Sequence, residues 1–303
     1  MRARLNESLL YDSLRSLVGD GAWSLLTTLA GSVDISRPLP EIVRPVAEAA
    51  GVEAWRINDA WQRERHFHEA YPFDYHILME GDKLFPKNLE GIHFLYCYGR
   101  LSLLEASPVT VLGMRGPSVE GRQSAVDVIR ELSSLGRPIM GTLDTGLDAY
   151  SMLYALNERM GQIVVLASPL HQCMPESQKE LMLSLANAKP ANLLVSPFPP
   201  SAKAQKWFTV PRNEVLVALT DFLVILEERD GGPLWKLARS LTDRGGRVML
   251  TDSCLSNPLY SQARLFAEDH EVLVYRRHGD LKRILTSHSS RRRKTEAEQL
   301  ELF

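Results

Sequence analysis

The chain has 303 residues, 45 % of them hydrophobic and 24 % charged, with a formal net charge of −2. That length supports one large α/β domain beside a small one, and the near-neutral balance excludes a polycation, so any nucleic-acid binding has to come from a local patch. Three cysteines, Cys97, Cys173 and Cys254, lie far apart without a Cys-x-x-Cys pair, which excludes a thiolate zinc site and a disulfide framework and points to a reducing compartment.

Residues 1–76 read as a small helical domain. SLLYDSLRSLV, SLLTTLAG and LPEIVRPVAEAAGVEAWRINDAWQRE carry apolar residues at three- and four-residue spacing, with Gly51 breaking the last stretch into two helices. Such a helix–Gly–helix pair is either generic packing or a helix-turn-helix. His66 and His68 stand two apart in this helical stretch, which puts them on different faces and argues against a metal pair.

After YPFDYHIL the period changes. VTVLG (109–113), PIMGTL (138–143), QIVVLAS, ANLLVSP, DFLVILEE, GRVMLTD and EVLVYRR read as strands. Between them EGRQSAVDVIRELSSLG (ending at Gly136), GLDAYSMLYALNERMG (ending at Gly161), PESQKELMLSLANA, PLWKLARSLTDR and NPLYSQARLFAED read as helices. Continuous apolar strands alternating with helices predict a mostly parallel sheet covered on both faces, a Rossmann-like α/β domain over 77–285. Residues 286–303 are rich in Ser, Thr and charge and read as a flexible tail.

Two stretches carry binding chemistry. The first strand runs into Gly113-Met114-Arg115-Gly116-Pro117-Ser118 and then Gly121 at the start of a helix. Glycines let backbone N–H groups approach a phosphate, a helix N-terminus favours negative charge, and Arg115 offers a fork of donors. A plain strand–helix turn accounts for the same residues, and the spacing is not that of a dinucleotide fingerprint. The second stretch, KWFTVPRNEVLVALTD, sets Lys206 and Arg212 around Trp207 and Phe208, with Asn213 at the expected start of a helix. Cations beside rings suit single-stranded nucleic acid. The alternative is that both rings are core and Asn213 only caps the helix.

From about Phe85 to Gly246 the order of segments resembles the DNA-processing protein A family (DprA, also called Smf). Phe85-Pro86 followed by Leu95 to Arg100 is similar to its lead-in strand. VTVLGMRGPSVEG resembles its first strand and Gly-Ser-Arg-x-x-Ser-x-x-Gly loop through Gly113, Arg115, Ser118 and Gly121. GTLDTGLDAYSMLYAL keeps Leu143, Gly146 and Asp148 of a further segment, and VPRNEVLVALTDFLVILEE keeps Arg212, Asn213, Leu219 and Glu227 of the Arg-Asn segment. The resemblance implies single-stranded DNA binding without catalysis or cofactor, and loading of a RecA-type recombinase. It also implies a DNA groove lined here by Arg115, Phe208, Arg212 and Asn213, with Lys206 in addition. Met114 stands where the family has serine, Asp144 where it has alanine, and Arg229 to Trp235 replace a Ser-Gly-Ser-x-x-Thr-Ala run. The alternative function on this fold is a nucleotide sensor or nucleotide hydrolase. The segment closest to its Pro-Gly-Gly-x-Gly-Thr and following Glu is DGGPLWKL, which lacks the later Gly-Thr-x-x-Glu.

The chain closes on QLELF, which resembles the bacterial sliding-clamp-binding motif. Gln299 is suited to the rim of a groove, and Leu300, Leu302 and Phe303 to an apolar pocket. Arg291, Arg292, Arg293 and Lys294 before it are phosphate contacts or a solubilising run. The expected partners are single-stranded DNA, the sliding clamp, a RecA-type recombinase and a second copy of the chain in a homodimer. No apolar run approaches the ~20 residues that span a bilayer and no signal-peptide stretch follows the basic start, so a cytoplasmic protein without a membrane partner is expected.

Overall fold

A computed structural model describes residues 4–72, 74–87, 89–188 and 191–286. The basic run and the expected clamp-binding residues Gln299, Leu300, Leu302 and Phe303 lie outside the described residues. In chain order the elements are α1 (Leu5–Val18), α2 (Ala22–Ala30), α3 (Leu39–Ala50), α4 (Ala54–Glu69), β1 (His76–Met79), β2 (Phe94–Gly99), β3 (Val109–Leu112), α5 (Val119–Ser134), β4 (Ile139–Gly141) and α6 (Leu147–Asn157). There follow β5 (Gln162–Val165), α7 (Lys179–Ala186), β6 (Leu193–Ser196), α8 (Thr209–Leu219), β7 (Phe222–Ile225), α9 (Leu234–Asp243), β8 (Arg247–Thr251), α10 (Asp252–Ser256), α11 (Gln262–Asp269) and β9 (Leu273–Tyr275). Among the described residues no helix is long and apolar enough to cross a membrane.

The chain forms two compact units. The first takes Met1–Leu101, Val165–Lys179 and Leu193–Ala218. It holds α1 to α4, and a strand β2 that runs antiparallel to both of its neighbours here, β1 and β6. Phe94 to Cys97 of β2 are all buried, and Leu9, Leu10 and Leu14 of α1 are buried with them in this unit. The Tyr96 hydroxyl is paired: it lies 2.8 Å from Ser8 Oγ and donates to Asp12 Oδ2 at 3.1 Å. The break at Gly51 has a physical cause. Its φ of +62° is left-handed, the ending that glycine gives a helix without a Cβ clash, and Val52 N–H reaches back to Ala47 O at 3.2 Å. His66 and His68 are both on α4; His68 is buried and its Nδ1 meets Tyr75 Oη at 2.6 Å.

The second unit takes Ser102–Val164, Glu180–Asn192 and Leu219–Phe303. Its strands run β5-β4-β3-β7-β8-β9, every neighbouring pair parallel. Counted within this unit the order is the doubly wound 3-2-1-4-5-6, which places a switch point between β3 and β7. The four central strands β3, β4, β5 and β7 are short, mostly apolar runs buried along their whole length, as a sheet covered on both faces requires. Each of their Val, Ile and Leu side chains contributes about 1.5–3 kcal/mol by leaving water. Thr110, in the middle of β3, is buried too, and its hydroxyl pairs with that of Thr220 at 2.7 Å.

The mostly parallel α/β architecture is the one read from the sequence. Differences fall at helix ends and in the antiparallel pairing of β2. The helix expected to run to Gly161 stops at Asn157, because Arg159 takes a left-handed φ of +56°. The expected 257–269 helix is α11 alone, starting at Gln262, since Pro258 and its neighbours lie outside it, and the short α10 before it carried no periodic signal. Burial pushes the thiols of Cys97 and Cys254 up to about 12 and that of Cys173 to about 11, so all three stay protonated at neutral pH.

Candidate nucleic-acid interface

The loop after β3 stands at the switch point of the second unit, where open α/β sheets bind ligands. Its backbone is fixed from inside. Gly113 N–H donates to Asp148 Oδ1 at 2.8 Å, and the other oxygen of Asp148 accepts from Thr142 Oγ1 at 2.5 Å. Ser118 N–H donates to Glu227 Oε2 at 2.8 Å, while Asn257 Nδ2 donates to Glu227 Oε1 at 3.0 Å. Ser118 caps α5, its Oγ accepting from Gly121 N–H at 2.9 Å, an N-cap worth about 1 kcal/mol. Gly121 is glycine for a steric reason: a Cβ there would overlap the Glu227 carboxylate. Gly146 seals the other side. It has φ +99°, and a Cβ on it would overlap the backbone of Met114 and Arg115.

The amides of Gly113, Ser118 and Gly121 therefore already have acceptors. Those of Arg115 and Gly116 have none among the described residues, and both residues are exposed. The part of this loop that faces outward is the Arg115–Gly116 tip, carrying a guanidinium and two unfilled N–H donors. Beyond β7, Glu228 is buried and accepts from Arg229 N–H at 2.9 Å and Leu234 N–H at 3.2 Å, tying down the start of α9. Burial raises its pKa against these hydrogen bonds.

The second stretch belongs to the first unit. A single 3-10 turn, Lys206–Phe208, leads into α8. Asn213 is thus inside α8 rather than at its start, because Thr209 and Pro211 already belong to the helix. It does not cap; its Oδ1 accepts from Arg212 Nε at 2.8 Å. Arg212 is only 5 % exposed, so its stem and head lie largely inside the protein. Phe208 stacks on Phe198, with ring centroids 3.8 Å apart and planes at 5°, in a small core with Ala167. Trp207 is 58 % exposed, edge-on to Phe208, with its Nε1 donating to Gln205 Oε1 at 3.1 Å. Lys206 is exposed beside it. Of the two rings, the one available for stacking is Trp207. The sequence pairs it with Phe208 but does not say which faces out.

A family model described as DNA recombination-mediator protein A matches residues 76–257, more than half of the chain. The DNA processing protein DprA of Bacillus subtilis (strain 168) is 23 % identical over 183 residues, 59 % of this chain and 61 % of that protein. That of Streptococcus pneumoniae (strain ATCC BAA-255 / R6) is 26 % identical over 152 residues, 49 % and 52 % of the two. The chain thus spans about three-fifths and half of these relatives. The X-ray structure of DprA from Streptococcus pneumoniae superposes with a TM-score of 0.71 at 18 % identity, covering 93 % of this chain and 98 % of that one. DprA from Helicobacter pylori, whose structure concerns its single-stranded DNA binding mode, gives 0.61 at 20 % identity, covering 72 % and 98 %. At these identities the superpositions speak for the fold. The family match takes in both the loop after β3 and the Lys206–Asn213 stretch, and the chain belongs to the DNA recombination-mediator protein A family.

Proposed function

We propose that the chain binds single-stranded DNA and acts in DNA recombination, repair or processing as a binding protein without catalysis. The observation that carries this reading is the family match over 76–257, within which the outward groups are of the right kind. The Arg115 guanidinium and the unfilled amides of Arg115 and Gly116 suit phosphate oxygens. Lys206 suits a second phosphate, and the exposed face of Trp207 suits a base. Gly113, Ser118 and Gly121 hold the first contact in shape, and Phe208, Arg212 and Asn213 hold the second. Glu227, three residues before the hydrolase-like DGGPLWKL segment, has both oxygens engaged by Ser118 and Asn257, which favours a structural role over a hydrolytic one.

Gln299, Leu300, Leu302 and Phe303 serve in this proposal as a clamp-docking peptide tethered by residues 286–298. The division into a helical domain (1–76), a strand-binding body (77–285) and a tail (286–303), a RecA-type recombinase and a homodimer partner complete it. The test is fluorescence anisotropy with an oligothymidine at rising salt. Affinity falls steeply between about 50 and 200 mM salt because phosphate contacts release counterions. No binding at low salt, or full binding by the Arg115→Ala, Trp207→Ala double variant, refutes the DNA reading. A chain ending at Glu298 loses capture by purified clamp while keeping oligothymidine; equal capture by both chains refutes the docking peptide.

A further inference from the structure

We propose that a cavity in the first unit is a binding site for a guanine nucleotide. This goes beyond the strand-binding reading, because Asp12 and Glu64, which would read the base edge, are not among the groups proposed to track a strand; Trp207 is the one group common to both. The cavity encloses about 440 Å3, bounded by α1, α4, the start of β2 and the 197–211 stretch, within the range of small-molecule sites. Its lining combines three kinds of group. Trp207 and Phe208 supply aromatic surface, Asp12 and Glu64 supply carboxyl groups, and Arg15 and Lys203 supply positive charge.

The carboxyl groups differ in a useful way. Glu64 Oε2 is buried without a hydrogen-bond partner among the described residues. A buried oxygen left unpaired is costly, and a ligand donor would satisfy it. Asp12 is buried and anchored by the Tyr96 hydroxyl. Burial above all, then the nearby Glu64 charge, pushes its carboxyl up to about 8, so at neutral pH it mostly carries a proton to donate. Burial raises the Glu64 pKa as well, with a hydrogen bond from Ser201 opposing the rise; the cavity thus offers an unfilled acceptor oxygen on Glu64 and a donor carboxyl on Asp12. The Watson–Crick edge of guanine is the complement: N1–H and the 2-amino group are adjacent donors for Glu64, and O6 is an acceptor for Asp12. Adenine, cytosine and thymine each lack two adjacent donors on that edge. Trp207 gives the purine a face to stack on. Arg15 and Lys203 are exposed and suit a phosphate.

The experiment is calorimetric titration of the full chain with GMP, AMP, CMP, TMP and IMP. GMP is expected to bind at least tenfold tighter than AMP, CMP and TMP. IMP, which lacks the 2-amino group, should bind about tenfold weaker than GMP. Glu64→Gln should weaken GMP tenfold or more while leaving oligothymidine binding unchanged. Should that variant not fold, the exposed pair Arg15→Ala, Lys203→Ala provides the test, weakening GMP but not guanosine. A second arm compares an oligothymidine carrying one central guanine with the plain oligothymidine. A gain there matching the GMP preference identifies a base within a strand as a source, and no gain identifies the free nucleotide. Equal binding of all the mononucleotides, no GMP binding, or GMP affinity untouched by these substitutions overturns the site. GMP binding without oligothymidine binding would keep this site and remove the strand reading.

Discussion

The loop after β3 and the Lys206–Asn213 stretch look alike as sequence, each a short run with cations beside special residues, but they are built in opposite ways. In the loop, side chains serve the backbone: Asp148, Glu227 and the Ser118 hydroxyl take up three amides and leave two outward. In the second stretch, the backbone serves the side chains. One 3-10 turn, with about three residues per turn, sets neighbouring rings roughly 120° apart, so Phe208 enters a core while Trp207 stays out. A glycine-rich loop is therefore not in itself a phosphate cradle; its amides have to be counted. A pair of aromatics is likewise not a stacking platform until each ring is placed.

The sharpest way to break the loop is Gly146→Val. It forces a left-handed φ on a β-branched residue and drives its Cβ into the Met114–Arg115 backbone. The expected loss is on the order of 4 kcal/mol or more in urea unfolding; a loss below about 1 kcal/mol would contradict the described packing. Phe208→Ala should cost roughly 3–4 kcal/mol, because it removes one half of a buried stack. Trp207→Ala, one residue away, should leave the unfolding midpoint nearly unchanged and weaken oligothymidine binding by about 1–2 kcal/mol. If the two exchange effects, the inside–outside assignment is wrong.

The first unit also predicts a pH dependence. Asp12 has its folded pKa raised from 3.8 to about 8. Its neutral form contributes stability that is fully present below about pH 4 and is lost as pH rises through about 8. Asp12→Asn should flatten that slope and raise stability at pH 8.5, read from melting curves between about pH 5 and pH 9. A parallel pH profile in the variant would remove Asp12 as its source. The smallest structural effect belongs to Arg115→Ala. We expect a stability change within about 0.5 kcal/mol, several-fold weaker oligothymidine binding, and a salt slope lower by about one unit.

Much of the fold was legible because buried parallel strands announce themselves. VTVL, FLVI and VML are short, mostly apolar runs, and each falls in an observed strand. The antiparallel course of β2 was not legible, since FLYCYG reads the same in either direction of pairing. At the candidate site, the glycine pattern located the loop. It could not show that Asp148 and Glu227, 35 and 109 residues away from their partners, would take up its amides. The placement of Asn213 depended on where α8 begins, and a 3-10 turn before the helix leaves no periodic trace in three residues. The cavity had no sequence signal at all, because Asp12, Glu64 and Lys203 converge from separate segments.

The uneven bonding of the loop after β3 has a signature in time. Amides held by a buried carboxylate or a capping hydroxyl exchange with solvent deuterium only when the structure opens, whereas exposed, unbonded ones exchange at close to the rate of a free peptide. Gly113, Ser118 and Gly121 should retain their protons long after Arg115 and Gly116 have lost theirs. An anion that seats on this tip would slow those two amides and leave the other three as they were. The loop would then bind without first having to order itself, so little of the interaction energy would be consumed in freezing its backbone.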